Sequence, residues 1–167
     1  MVVMEQLITA LRELLADTVA LKFKAHGYHW NVEGENFPQA HTFFGMIYED
    51  YDNAIDPFAE SLRRLDTYAP FKLSRLAALS TVAESDVTAE FEDMALDLLK
   101  SNDIVLAKLK DAFDIASAAR EQGIANFLAD RIDMHSKWHW QLSSVVKEEM
   151  MESEADETAE SEPSIEE

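Results

Sequence analysis

The chain has 167 residues, a formal net charge of −19 at pH 7 and no cysteine, and 47% of it is hydrophobic. That length suits one domain with a sizeable core, and the absence of cysteine excludes disulfides, iron–sulfur clusters and thiolate zinc sites. With only four glycines and four prolines, the composition favours an all-α fold.

The N-terminal stretch MVVMEQLITALRELL has no basic lead-in, and its apolar residues alternate with polar ones. It reads as an amphipathic helix rather than a signal peptide. No run of about 18 apolar residues is present, so no membrane span is expected and a soluble, cytoplasmic protein is. Helix 1 is expected from about Met4 to Trp30. Leu7, Leu11, Leu14, Thr18, Leu21, Ala25 and Tyr28 keep a 3-4 spacing and form its bundle-facing stripe. His29 flanks that stripe, where it could face a neighbouring subunit.

Residues Asn31 to Phe37 form a turn containing Gly34 and Asn36, and Pro38 sits in the first turn of helix 2, where proline is tolerated. Helix 2 should reach about Leu65, with a kink near Asn53–Asp56 caused by Pro57. Residues 66–85 are a crossover in which LSRLAALS (73–80) forms a short helix. Helix 3 is expected from about Thr88 to Arg120, with Phe91, Met94, Leu98, Val105, Leu109, Phe113 and Ala116 on one stripe and Gly123 as its stop. Helix 4 runs from about Ile124 to Glu149. Four long helices with a long middle crossover give an up-down-down-up bundle of the ferritin type. The bundle domain covers 1–147. The remaining segment, 148–167, has ten acidic residues and no basic one, and reads as a disordered acidic tail.

Four side chains carry the metal chemistry in this reading. His29 and His41 bracket the turn, and Asp56 and Glu60 lie i,i+4 on helix 2, off one face. Two imidazoles and two carboxylates suit iron, manganese or zinc. One copy cannot assemble them, because 15 residues of helix put His41 and Asp56 roughly 22 Å apart. The set converges only if an identical helix crosses antiparallel at a two-fold axis. Each residue has a plainer explanation: a histidine beside an apolar stripe usually packs, and a carboxylate pair beside Arg63 and Arg64 is usually a solvated face. His26/His29 and His135/His139 are further helix-face pairs, and the latter, amid Trp138 and Trp140, reads as structural. No histidine has a glutamate three positions earlier, which disfavours a di-iron centre within one bundle. Ser136 after His135 excludes the HExxH zinc-protease pattern.

The string HWNVEGENFPQAH (29–41), followed by Asp56-x-x-x-Glu60, closely resembles the Dps mini-ferritins. The Trp138-His139-Trp140 segment and the short crossover helix belong to the same resemblance, which covers about residues 5–147. The resemblance implies a ferritin-like four-helix subunit in a homo-oligomeric, dodecameric shell. It implies a ferroxidase site at each two-fold interface, with His29 and His41 from one subunit and Asp56 and Glu60 from its mate. Fe(II) would be oxidised by hydrogen peroxide or O2 and stored as ferric mineral. Zinc or manganese could substitute for iron, and Trp30 would lie beside the metal and intercept oxidising equivalents.

There are departures from the family pattern. Members commonly carry an acid one turn after the second histidine, where this chain has Gly45, so the second iron position is short of a carboxylate unless Glu49 or Asp52 compensates. Around the positions of the three-fold pore stand Gly123 and Asn126, with Glu121 and Asp130 the nearest acids. Two alternatives remain open: a DNA-binding, nucleoid-protecting shell, or a ferroxidase-impaired structural shell. DNA binding is not expected, because the first basic residue is Arg12, already inside helix 1, and the C-terminus is acidic.

Overall fold

The computed structural model describes residues 2–86 and 90–147. Helices α1 (Val2–Asn31), α2 (Phe37–Arg64), α3 (Leu73–Leu79), α4 (Phe91–Ala118) and α5 (Gln122–Val145) account for the regular structure, and no strand occurs among the described residues. The fold is the expected all-α bundle with a short helix in the crossover. None of its described helices is long and apolar enough to cross a membrane. The start proposed at Thr88 and the acidic tail lie outside the described residues.

Cross-helix contacts fix the direction of each helix. His29 meets His41 and Lys22 meets Asp52, so α1 and α2 are antiparallel. Lys24 meets Asp97 while Lys108 meets Asp17, so α1 and α4 are antiparallel too. Phe43 meets Trp138 and Phe58 meets Phe127, which runs α5 against α2. The order is therefore up-down-down-up, and only a long α2–α4 connection can produce it.

Every member of the α1 stripe, Leu7 through Tyr28, is buried. It meets the aromatic face of α2, where Phe44, Tyr51 and Phe58 are each at most 1% exposed. Burial of side chains this large contributes about 1.5–3 kcal/mol each relative to exposure, which explains why a helix interrupted by Pro57 still holds. α2 runs unbroken through that proline, and the Ser61 hydroxyl donates to the Pro57 carbonyl at 2.7 Å.

The stop of α4 differs from the sequence expectation. Gly123 lies inside the first turn of α5 and terminates nothing. Arg120 makes the turn instead, in the left-handed region at φ 61°. The amides of Arg120 and Glu121 close back onto the carbonyls of Ser117 and Ala116 at 3.1 and 3.0 Å, a Schellman cap. Asp66, at φ 56°, ends α2 in the same manner.

Two acids, Asp17 buried and Asp97 partly exposed, tie the crossover to the bundle. Asp17, 0% exposed, accepts from the Thr81 amide at 2.6 Å, from Ser80 at 3.1 Å and from Lys108 at 2.6 Å. Asp97 accepts from Lys24, Ser85 and Tyr28. Burial alone would raise the Asp97 pKa, but the hydrogen bonds from Lys24, Tyr28 and Ser85 outweigh it and hold the carboxyl below its ordinary value.

Candidate metal centre

The α1–α2 turn brings the end of α1 beside the start of α2, and there His29 and His41 lock each other. His29 Nδ1 lies 2.7 Å from the His41 carbonyl, and His41 Nδ1 lies 2.6 Å from the His29 carbonyl. A carbonyl only accepts, so each Nδ1 must carry its proton and donate it. In the neutral ring this leaves Nε2 as a bare lone pair, the nitrogen a metal needs. The two rings stack at 3.7 Å with 22° between their planes. Gly45 passes directly beneath, where a Cβ would meet His29 Nδ1 at 3.4 Å, ordinary van der Waals contact.

Sequence reading missed the row of rings that continues from this pair. Tyr48 packs edge-on to His29 with ring centres 5.2 Å apart and stacks on His26 at 4.0 Å, and the His26 and Trp30 ring centres are 4.2 Å apart. Phe37 closes the other end, 5.1 Å from His41. The spacing His26, Trp30 on α1 with His41, Gly45, Tyr48 on α2 was the available signal, since each set shares one helical face. Trp30 is 60% exposed and so stands at the molecular surface beside the histidines.

Asp56 and Glu60 sit on the exposed side of α2, as the i,i+4 spacing requires. Among the described residues neither side chain makes a hydrogen bond or ion pair. The neighbouring arginines are engaged elsewhere: Arg63 donates to the Thr67 carbonyl at 2.9 Å, and Arg64 to Ser61 at 2.8 Å. One copy brings His29 and His41 together but not Asp56 and Glu60. Accordingly, the described residues contain no group of three or more histidines and acids able to hold a metal ion. Of the two acids that could stand in for a carboxylate at Gly45, Asp52 faces Lys22 at 3.5 Å and Glu49 is exposed.

The second histidine pair has a different environment. His135 is 1% exposed, and its Nδ1 has no hydrogen-bond partner among the described residues. Burial, then the nearby Arg131 charge, pushes its pKa down to about 3. Its neighbour Asp50 receives Arg131 through two bonds of 2.8 Å and Trp138 Nε1 at 2.7 Å. His139 lies on the outside, with Nδ1 2.7 Å from Asp103. The two histidines share no ligand position, in keeping with a structural role.

The sequence matches the ferritin-like domain family over residues 8–151. A low temperature-induced protein of Nostoc sp. is 29% identical over 87% of this chain and 82% of its own. The DNA protection during starvation protein of Helicobacter pylori is 26% identical, covering 80% of this chain and 94% of that protein. Among solved structures, the Dps protein of Vibrio cholerae O1, a member of a broad superfamily of ferritin-like diiron-carboxylate proteins, superposes with a TM-score of 0.82 at 25% identity. That match covers 86% of this chain and 90% of that one.

Proposed function

This chain belongs to the ferritin-like family and within it to the Dps proteins, and from that premise we propose that it is a ferroxidase and iron-storage subunit. Its site is completed across a two-fold axis: His29 and His41 of one copy face the partner subunit's Asp56 and the partner subunit's Glu60. The observation that carries this reading is the reciprocal histidine lock. It fixes both rings with Nε2 free, while the acids that would complete the ligand set stand unpaired on the open face of α2.

Imidazole nitrogen and carboxylate oxygen together bind Fe(II) and leave positions open to an oxidant. Two Fe(II) ions each give one electron to hydrogen peroxide. The O–O bond breaks, two protons are taken up, and both oxygens leave as water, so no hydroxyl radical is released. Fe(III) then prefers the hard oxygen donors and passes into mineral within the shell. Twelve subunits form that shell, and light scattering at neutral pH should give about twelve times the subunit mass.

His29→Ala, His41→Ala and Asp56→Ala should each slow peroxide-driven Fe(II) oxidation by at least about tenfold while the shell stays assembled. Wild-type rates in these variants would make the quartet structural. Co-assembly of His41→Ala with Asp56→Ala subunits should restore about a quarter of the sites, because half of random pairs are mixed and each mixed pair holds one intact site. No recovery would argue against ligands shared between subunits.

A further inference from the structure

We propose that the apolar groove between the start of α2 and the start of α4 is the seat of this chain's own Met150 and Met151. Seating them fastens the acidic C-terminal segment, 148–167, to the subunit it belongs to. This inference goes beyond the metal reading and does not rest on it.

The groove is lined by Pro38, Gln39, Thr42, Phe43 and Met46 of α2 and by Phe91 of α4. Rings back it: Phe91 meets Phe43 edge-on at 6.2 Å and Phe44 edge-on at 5.6 Å. On the same stretch of α2, Met46 is 49% and Phe37 42% exposed. Apolar side chains gathered along a groove and facing water mark an interaction surface.

The occupant follows from where the described chain ends. α5 runs against α2, with Phe58 meeting Phe127 and Phe43 meeting Trp138. From Trp138 to Val145 the helix advances about 10 Å further, which brings its end level with Phe37. There α5 stops, and the chain bends at Val146, whose side chain is 0% exposed. Val146 therefore holds the chain beside the groove, and Met150 follows within about 13 Å of extended backbone. The groove itself, from Pro38 to Met46 along a helix, is about 12 Å long, so the reach suits it. Composition makes the choice specific. Between Lys147 and Ile165, Met150 and Met151 are the only large apolar residues. Methionine, unbranched and polarizable, adapts to an irregular groove lined with rings. Charge works against the seat: Glu33 and Glu35 precede α2, Glu92 and Asp93 follow Phe91, and Glu148, Glu149 and Glu152 flank the methionine pair. Apolar contact must therefore hold the segment, and screening of these like charges tightens it.

Because the chain has no cysteine, disulfide trapping tests the contact without background. Two full-length double variants, Gln39→Cys with Met151→Cys and Thr42→Cys with Met150→Cys, are oxidised without metal. At least one should close a bond within a single chain, at the 18.9 kDa subunit mass and with faster migration than its reduced form. A cross-linked pair of chains would mean that a second copy's segment fills the groove, and no bond would mean that the segment lies elsewhere. Either result overturns the proposal. A glutamate-specific protease should cut after Glu154 at least about tenfold faster in Met150→Ser, Met151→Ser than in the wild type. Met46→Glu, an exposed change that leaves the cut site as it is, should speed cleavage likewise. Equal rates in all three proteins would remove the seat. The ratio of variant to wild-type rate should widen from about 0.01 M to about 1 M salt, as the screening length falls from about 30 Å to about 3 Å. A ratio that narrows would make the capture electrostatic and overturn the apolar seat. Every readout is taken on metal-free protein, so it stands apart from iron oxidation by the histidine variants.

Discussion

At the scale of single residues, the site depends on how an imidazole is held. His29 and His41 each donate through Nδ1 to the other's backbone, so loss of either ring frees one carbonyl at the helix ends and removes the ring its partner stacks on, while the partner's own hydrogen bond remains. Gly45 sits under His29 with room for a Cβ at 3.4 Å. Gly45→Asp should therefore be accommodated, and its carboxylate, one turn from His41 on the same helical face, can reach the metal. A higher affinity for a second Fe(II) or Zn(II) at each half-interface is expected, read as metal stoichiometry by calorimetry or anomalous scattering. Unchanged stoichiometry would mean that another side chain already fills that position. The candidate ligands and their motif were legible in the sequence, because histidines flanking a turn and carboxylates at i,i+4 are local patterns. The lock was not. It is made of side chain to backbone bonds that exist only once the two helices pair.

At the scale of elements, the apolar periodicity of α1 and α4 gave their buried faces correctly, since burial repeats with the helical turn. What holds the crossover was not visible. Asp17 reaches Thr81 and Lys108, and Asp97 reaches Lys24, contacts between residues distant in sequence that periodicity cannot encode. The α4 stop was misread because Gly is the usual left-handed residue, whereas here Arg120 adopts that conformation and Gly123 enters α5.

The α2–α5 seam carries its own pH dependence. His135, pushed down to about 3 in the fold, takes up a proton near the ordinary 6.5 once unfolded. The unfolded state thus binds more protons between those values, and stability falls as pH drops from 6.5 toward 3, by up to about 1.4 kcal/mol per pH unit. Asp50 behaves as a depressed acid: burial raises it, but Arg131 and Trp138 more than compensate, so its contribution is lost only at the acid end. His135→Leu removes the first effect without stranding a bonded partner on the ring. Its melting temperature should fall less than that of the wild type between pH 7 and pH 4.5. An equal fall in both proteins would remove His135 from the account.

At the scale of the whole molecule, charge bears on whether the proposed shell would only store iron or also condense DNA. Duplex affinity comes from several Lys or Arg groups set against phosphates. This chain has 14 basic residues against 33 acidic ones, and the structure commits many of the basic ones internally. Lys24 and Lys108 are tied to Asp97 and Asp17, Arg131 to Asp50, and Lys22 lies beside Asp52. A closed shell multiplies the net charge of −19 per subunit and repels the phosphate backbone before contact. Salt does not reverse the sign: at about 0.15 M, screening sets in beyond about 8 Å, which weakens repulsion and attraction alike. Magnesium could bridge two anionic partners, so the measurement belongs in chelator. No retardation of plasmid DNA is expected at physiological ionic strength with chelator present. Tight retardation there would mean that cationic surface is gathered by assembly in a way the single chain does not display, and the nucleoid-protecting alternative would replace the storage-only reading.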